Sequence, residues 1–588
     1  MSDPERGAAP LECCTEESEL SADDFIEASE EFAETGPAIS AKPRPWLTLL
    51  ERPRVFWALF GACLVVNLLP LCMARYLPFT DLQGAAGLLG AMDRAGDPEA
   101  RIHEFFKFQI HAFPNIIFWA VGWVFSRVMP VTAASNLYVA IFCIAGPALA
   151  LLYALRSFRK PAWLAFFAFP ALYHRGIWFG FMGSVPAVGM LLFALGLANQ
   201  TFERPRASWR DLALALTLLV LATAHAFLFL VGAGLVFLWA LLAIGRPSPA
   251  WRRFAVLVPG LVYLGPWLRG VVGRTGSAPG QPSLLRYFWS QRLSPGRYLS
   301  DVHQWFINGY AGHLDEVVAA VFAVSLVLLL VLGVRDDRDA GVAAALATKP
   351  AGRLWRARLA VARGVFGAGY ILLPMSIMRP FYWWAVNVRL LMPFVFTLVL
   401  IVPRRRRGLP SWTVLPVALA GLFWGAFLTY DFRVWWRAVE IDGLHEALAS
   451  IPKGRKVHAI YPAFEAEAHY SHFSMAHIVD YYIVERGGLA TPLMDGHPKD
   501  LWVVPNPPPP RAGWGMGRAF NWEKHGRYWD YFLVKAPAPG NGGASPLFAG
   551  APSGAVTKVF EKGLWSVWKG TPPAPASPLL PPALPRPR

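Results

Sequence analysis

The chain has 588 residues, of which 55% are hydrophobic and only 16% are charged. Soluble domains carry roughly 25% charged residues, and several apolar runs approach the roughly 20 residues that span a bilayer; the composition therefore excludes an ordinary soluble protein and predicts a polytopic membrane protein. The net charge of +16 comes mostly from bases between the apolar runs, which predicts membrane lipid, and not nucleic acid, as their partner.

The N-terminal segment differs in charge from the rest of the chain. Residues 1–40 contain twelve acidic residues and one base, Arg6, which leaves about +27 for the remainder. A short acidic segment without apolar periodicity predicts a disordered tail. We assign residues 1–45 to this tail, and a small interaction site around Phe25–Ile26 stays open as an alternative.

The first apolar run, about Val55 to Ala74, precedes the most informative loop of the chain. Bases before the run predict a cytoplasmic N-terminus, so that loop 75–111 is extracytoplasmic. Asp81 lies just past the run, where a carboxylate is costly unless it has a partner or a function. One interpretation is a helix cap, in which Thr80 or Asp81 accepts the first N–H groups of a following helix. The other is a functional base, or a carboxylate in a cation or phosphate site.

Further apolar runs predict a transmembrane domain, residues 46–430, with eleven to thirteen spans. Four consecutive arginines, 404–407, predict a cytoplasmic loop and leave residues 431–588 outside. A cytoplasmic N-terminus with residues 431–588 outside needs an odd number of spans, whereas a direct count of the spans in the sequence gives twelve. The conflict lies within residues 105–160: either one apolar run there is re-entrant, or an interfacial helix predicted over Arg101–Ile110 crosses.

Residues 431–569 have a different pattern, typical of a small extracytoplasmic α/β domain. One helical stretch, His469–Arg486, alternates with short β-like runs. These predicted strands are Val457–Tyr461, Leu501–Pro505, Tyr531–Lys535, Val556–Phe560 and Leu564–Lys569. The Pro-rich residues 570–588 predict a disordered tail.

Three residues besides Asp81 are candidates for binding substrate or phosphate. Arg379 and Arg389 flank a short outside turn, and the planar guanidinium group can bind two phosphate oxygens; the alternative for Arg389 is snorkelling to the membrane interface. His225 interrupts an apolar run, either as a hydrogen-bonded histidine at a helix break or as part of a polar cavity. Trp383 and Trp384 fit an interface belt or a sugar-stacking surface.

No metal or cofactor site is predicted. His469, His472 and His477 lie on one predicted helix, but His477 falls off the face that the other two share. The sequence contains no phosphate-binding loop, dinucleotide fingerprint or zinc-protease motif. A divalent metal therefore has no support in the sequence.

Several short segments together resemble bacterial members of the GT-C superfamily of membrane glycosyltransferases. The likeness begins with Tyr-Leu-Pro-Phe-Thr-Asp-Leu in the loop after the first span and is spread over most of residues 50–490. Its segments are Tyr76–Leu82, Trp178–Pro186, His225, Asn387–Leu391, Ile451–Arg455 and Tyr481–Gly488. The sequence departs from the family pattern in having Gln83-Gly84 after Asp-Leu, without the proline and histidine, and Gly183 or Ser184 in place of an asparagine.

The resemblance implies transfer of a sugar from a polyprenyl-phosphate carrier at the outer face of a bacterial cytoplasmic membrane. In the family, the first-loop carboxylate acts as the base or orients the acceptor, and this role carries over only to Asp81. The implied partners are membrane lipid, a lipid-linked sugar donor and an unspecified acceptor. The departures keep two alternatives open: a non-catalytic membrane component of envelope polysaccharide assembly or export, and a transporter.

Overall fold

The structure is a computed structural model. It describes residues 49–108, 114–204, 206, 208–243, 247–272, 294–306, 312–345, 355–377, 383–402, 411–461, 474–491, 502–503, 520–536, 548 and 550–571. The acidic tail, Arg379, the 404–407 arginines, His469, His472 and nearly all of the Pro-rich tail lie outside these residues. All described residues belong to one compact unit.

Most of this unit is α-helical. The principal helices, in chain order, are α1 Pro53–Leu68, α2 Thr80–Asp93, α3 Ile117–Ser126, α4 Val131–Tyr138, α5 Gly146–Ser157, α6 Ser184–Phe202, α7 Trp209–Ala224, α8 Ala226–Leu242, α9 Val258–Val272, α10 Leu314–Ala345, α11 Arg358–Leu372, α12 Leu391–Leu400, α13 Leu415–Asp431, α14 Leu444–Ser450 and α15 Tyr481–Arg486.

Five helical segments of the described chain are long and apolar enough to cross a membrane: Pro53–Met73, Val131–Ser157, Ser184–Phe202, Leu314–Val331 and Ser411–Ser450. Four shorter apolar helices accompany them: Ile117–Ser126, Ala162–Ala171, Ala226–Leu242 and Asn387–Leu400. These helices and the C-terminal sheet confirm a mainly helical membrane protein with a small α/β region. The number of eleven to thirteen spans stays a prediction.

Helix α3 bears on the conflict between the count of twelve apolar runs and the odd number of spans that the charge pattern predicts. Its 10 residues extend about 15 Å at 1.5 Å per residue, half of the roughly 30 Å of hydrocarbon. It packs beside α2, where the Trp119 indole donates to the Ala85 carbonyl oxygen at 3.3 Å and Arg127 pairs with Asp93. Helix α3 therefore stays at the Asp81 end of the bundle.

The next segment crosses the bundle. Helix α4 continues through the π-helical residues Val139–Ala145 into α5. Near its start, Asn136 Nδ2 donates to the carbonyl oxygens of Leu71 and Ala74 at the end of the first span. Just past its end, Lys160 Nζ donates to the Val402 carbonyl oxygen at 2.8 Å, beyond the end of α12. This geometry supports the re-entrant interpretation, in which one crossing separates the Asp81 loop from Lys160; the topology stays a prediction.

The predicted interfacial helix over Arg101–Ile110 is wrong. Of its described residues, 101–108, only Ile102–Phe105 is helical, and strand β1, Lys107–Phe108, follows it. This strand pairs with β6, Trp502–Val503, in an antiparallel ladder. The backbone donors and acceptors of this loop segment are therefore partly satisfied by the predicted outer domain, residues 431–569, instead of by a helix.

The outer domain contains a five-stranded sheet of order β5-β4-β7-β9-β8. Strand β4 is parallel to both of its neighbours, β5 and β7. Strand β9 is antiparallel to both of its neighbours, β7 and β8. The strands are β4 Lys456–Ile460, β5 Leu489–Thr491, β7 Tyr531–Lys535, β8 Val556–Lys562 and β9 Trp565–Gly570. Four of the five predicted strands lie in this sheet; the fifth, Leu501–Pro505, contains β6 and lies outside it.

The outer domain packs against α2 through two glycines. A Cβ atom built at Gly87 would lie 2.7 Å from Asp480 Cβ, and one at Gly90 would lie 2.6 Å from Val484 Cα. Arg94 Nε also donates to the Val484 carbonyl oxygen at 2.7 Å. Only glycine permits this close approach. Gly87 and Gly90 therefore allow the outer domain to pack against α2, the helix that carries Asp81.

Candidate functional site at the start of helix α2

Asp81 is the second residue of α2, in its first turn. The residue at the N-cap is Phe79, and no side chain caps the helix, so the capping interpretation of Thr80 and Asp81 is wrong. The Asp81 carboxylate is partly buried and has no hydrogen bond or close ion pair with a described residue. A carboxylate in this position faces the positive end of the helix dipole.

A glycine turn holds Asp81 in place. The Asp81 N–H donates to the Phe179 carbonyl oxygen at 3.0 Å, and the next residue, Gly180, has φ +71°. A Cβ atom at Gly180 would lie 2.5 Å from the Leu82 nitrogen and 2.7 Å from the Asp81 nitrogen. This position therefore needs glycine both for its left-handed backbone and for its contact with α2.

Aromatic side chains from separate segments line the region beside this turn. The ring of Trp384 lies 5.1 Å from Phe179, 6.0 Å from Phe181 and 5.8 Å from Trp305, measured between ring centroids. Trp384 belongs to strand β3, Trp383–Trp384, which pairs with β2, Ser376–Ile377. Phe179 and Phe181 flank Gly180, so the turn that holds Asp81 also supplies part of this wall.

Arg389 lies against the same aromatic wall. Its guanidinium carbon is 4.9 Å from the Phe181 ring centroid and 5.8 Å from that of Trp383. Its Nε and Nη1 atoms are buried and have no hydrogen-bond partner among the described residues. Burial of these two donors argues against snorkelling, although the Arg389 side chain as a whole is partly exposed. Buried unpaired donors of a cation are costly, which makes Arg389 a position suited to an anionic ligand.

Burial and Arg389 have opposite effects on the Asp81 carboxyl. Burial raises its pKa to about 7, and the nearby positive charge of Arg389 acts to lower it. A carboxylate that exchanges its proton near neutral pH has the property that general-base chemistry requires.

His225 separates α7 from α8 and caps the second of these helices. Its Nδ1 accepts the Leu228 N–H at 3.3 Å, so the helix-break interpretation describes its local geometry. Because Nδ1 is an acceptor, the neutral ring carries its hydrogen on Nε2. The ring also lies 5.5 Å from Trp383, which places His225 beside the aromatic partner of Arg389.

Arg175, which with His174 closes a short apolar run, is a weaker candidate from the sequence than Arg389. Its guanidinium carbon lies 4.9 Å from the Trp305 ring centroid and 5.4 Å from that of Phe179. Its Nη1 donates to the Gln304 carbonyl oxygen at 3.4 Å, whereas its Nε is buried without a hydrogen-bond partner in the described chain. The only sequence signal for Arg175 is its position after an apolar run, directly before the Trp178–Pro186 segment.

Other predicted positions contribute differently. Arg379 lies outside the described residues. Gln83, one of the departures from the family pattern, donates to the carbonyl oxygens of Leu77 at 3.1 Å and Ser474 at 2.6 Å, and so helps to join α2 to the outer domain. In the part of the chain that the structure describes, no three His, Cys, Asp or Glu residues form a group that could hold a metal.

The fold and the site define a polytopic helical membrane protein with a carboxylate and guanidinium site at one end of its bundle. No protein-family model matches the chain, and no curated protein matches its sequence. Among solved structures, the chain is similar to the crystal structure of ArnT from Cupriavidus metallidurans bound to undecaprenyl phosphate, with 15% identity and a TM-score of 0.49 over 88% of this chain and 98% of that one. A likeness at this level does not establish a shared family or activity.

Proposed function

We propose that the protein is an integral membrane glycosyltransferase that transfers a sugar from a polyprenyl-phosphate donor to an acceptor at the outer face of a cytoplasmic membrane. The observation that carries this proposal is the Asp81 carboxylate, which caps no helix and has no hydrogen bond or close ion pair with a described residue, while burial raises its pKa. Arg389 also supports it, because its buried Nε and Nη1 donors have no partner among the described residues and its charge acts on the Asp81 carboxyl.

In the proposed reaction, Asp81 removes the proton of the acceptor hydroxyl group as that oxygen attacks the anomeric carbon. The bond between this carbon and the phosphate oxygen breaks, and the carrier leaves as a polyprenyl phosphate. A base and a cation for the leaving phosphate are the two groups that such a displacement needs.

Arg389 and Arg175 are the proposed partners of the phosphate. Each has at least one buried N–H without an acceptor in the described chain, and a phosphate oxygen would supply it. The Nε2–H of His225 is a further donor on the Trp383 side. Trp384 offers a flat apolar face on which a sugar ring could lie.

One observation favours the non-catalytic alternative. The cleft beside Arg389 encloses only about 20 Å³, which is room for one water molecule. Its lining includes His174, Phe181 and Trp305. The sugar donor can therefore enter only if these side chains move. A non-catalytic protein with the same fold would not need this movement.

The test is binding and turnover of a panel of radiolabelled polyprenyl-phosphate sugars by the purified full-length protein in lipid nanodiscs. Release of unglycosylated polyprenyl phosphate, together with a labelled acceptor product, would support the enzyme. Binding of donors without release, in the presence of bacterial envelope lipids and glycans as acceptors, would support the non-catalytic alternative. Absence of binding across the panel would contradict the proposed activity.

A further inference from the structure

A second site of different character lies at the end of the first span. A groove of about 640 Å³ runs between the residues that follow α1 and the first turns of α4. Leu71, Met73, Met129 and Leu137 give it an apolar floor, and Arg75 and Arg437 lie along it. Its volume falls in the range of ligand-binding clefts.

The two arginines differ in how far their charge is already neutralised. Arg75 Nη2 pairs with Glu485 Oε1 at 2.6 Å, and its side chain is still 47% exposed. Arg437 is exposed and has no hydrogen bond or ion pair with any described residue. Since Glu485 offsets the charge of Arg75, the net positive charge of the groove comes from Arg437.

The local helix explains why Arg437 faces the groove. Residues Phe432–Glu440 form a π-helix, whose wider turn brings residues four apart close to one face. Phe432, Trp436 and Glu440 are buried on one face, where the Trp436 indole donates to the Tyr76 carbonyl oxygen at 2.5 Å. Arg433 and Arg437 are exposed on the other, and only Arg437 lines the groove.

We propose that this groove binds an anionic glycerophospholipid, with its phosphate on Arg437 and Arg75 and an acyl chain along the apolar floor. The position favours a membrane lipid, since the groove begins at Leu71–Met73, the last residues of a membrane-length helix. The charge favours an anionic headgroup, because each arginine near a membrane surface adds about fivefold to its attraction for anionic lipid.

This inference does not rest on the proposed glycosyltransferase activity. It does place the lipid at the start of the loop that carries Asp81: Arg75 precedes Tyr76, whose hydroxyl group donates to Glu485 Oε1 at 2.8 Å, and Asp81 follows in the same loop. A phosphate at Arg75 would thus lie beside the residues that anchor this loop to the outer domain.

Cys72 provides a direct probe, because it lines the groove and is exposed, whereas Cys63 and Cys143 are buried. In a Cys13→Ser, Cys14→Ser background, the rate of maleimide labelling at Cys72 is measured in nanodiscs of phosphatidylglycerol and of phosphatidylcholine. Arg437→Gln is compared with Arg433→Gln, which removes the same charge from the same helix but not from the groove.

We expect Cys72 to be labelled more slowly in phosphatidylglycerol than in phosphatidylcholine, both in the unsubstituted background and in Arg433→Gln. In Arg437→Gln, this protection by phosphatidylglycerol should be about fivefold smaller. Equal labelling in the two lipids would overturn the proposal, as would an equal loss of protection in both arginine variants. Protection by inorganic phosphate in phosphatidylcholine nanodiscs would also overturn it, since the ligand would then be a free anion.

Discussion

The backbone N–H of Asp81 donates to the carbonyl oxygen of Phe179 across 3.0 Å, which joins the first outer loop to a turn about 100 residues later. The hydrogen bond satisfies a donor at the start of α2 that no side chain caps. It leaves the Asp81 carboxylate available, and it fixes that carboxylate beside the aromatic residues Phe179 and Phe181.

Gly180→Ala should disrupt this arrangement. The new Cβ would meet the Leu82 nitrogen at 2.5 Å in a left-handed backbone, a strain on the order of 1–3 kcal/mol. We expect a lower thermal midpoint and loss of activity. Gly234→Ala is the matched control, since nothing lies within 4 Å of a Cβ there; a similar loss in that variant would contradict the explanation.

The activity should depend on pH through Asp81. The proposed base acts only when deprotonated, and its pKa is about 7. Below that value, kcat/KM should fall about tenfold for each pH unit, and above it the rate should level off. The check is a pH–rate profile of the full-length protein; a flat profile between pH 5 and pH 8 (a range of about two units below to one above that pKa) would exclude Asp81 as the base.

Arg389→Gln should lower kcat more than it raises KM. A cation that stabilises the leaving phosphate acts mainly in the transition state, and loss of such a donor costs roughly 10²–10³-fold in kcat. Arg389→Lys should recover only part of this, because an ammonium group lacks the planar fork. Arg363→Gln, which changes an exposed arginine on α11, serves as the control. A change in KM alone for Arg389→Gln would assign Arg389 to binding only.

The position of α3 gives a topology prediction. Val128, which is 79% exposed, follows α3 at the Asp81 end of the bundle, whereas the exposed Arg159 lies at the other end. In intact cells that express the protein with Cys13, Cys14 and the exposed Cys72 replaced by serine, an impermeant thiol reagent should label Val128→Cys and should leave Arg159→Cys unlabelled until the membrane is opened. The opposite pattern would reverse the predicted orientation, and labelling of both would refute the single crossing between them.

The sequence predicts those parts of the molecule that local pattern controls. Apolar length marks the spans, and strands such as Tyr531–Lys535 follow from their run of β-forming residues. Asp81 stands out because a carboxylate beside a membrane-length run is costly. The motif Trp178–Pro186 could be selected by resemblance, although its contact with Asp81 could not.

Other features depend on contacts between distant segments. Apolar composition alone does not distinguish α3 from a membrane span, because the apolar residues of α3 pack on α2. Leu489–Thr491 is a strand only because β4 lies beside it. The sequence leaves the role of Arg175 open, and its contacts with Trp305 and Phe179 are what favour a place in the site. Each of these depends on tertiary packing, which overrides local pattern.

The most direct test of the account compares Asp81→Asn with Asp93→Asn in the release of polyprenyl phosphate from a donor that the wild-type protein turns over. Both substitutions neutralise a carboxylate on α2, but Asp93 pairs with Arg127 at the far end of the helix. If Asp81 is the general base, turnover should fall roughly 10²–10⁴-fold in Asp81→Asn and should be nearly unchanged in Asp93→Asn. Wild-type turnover in Asp81→Asn would contradict it.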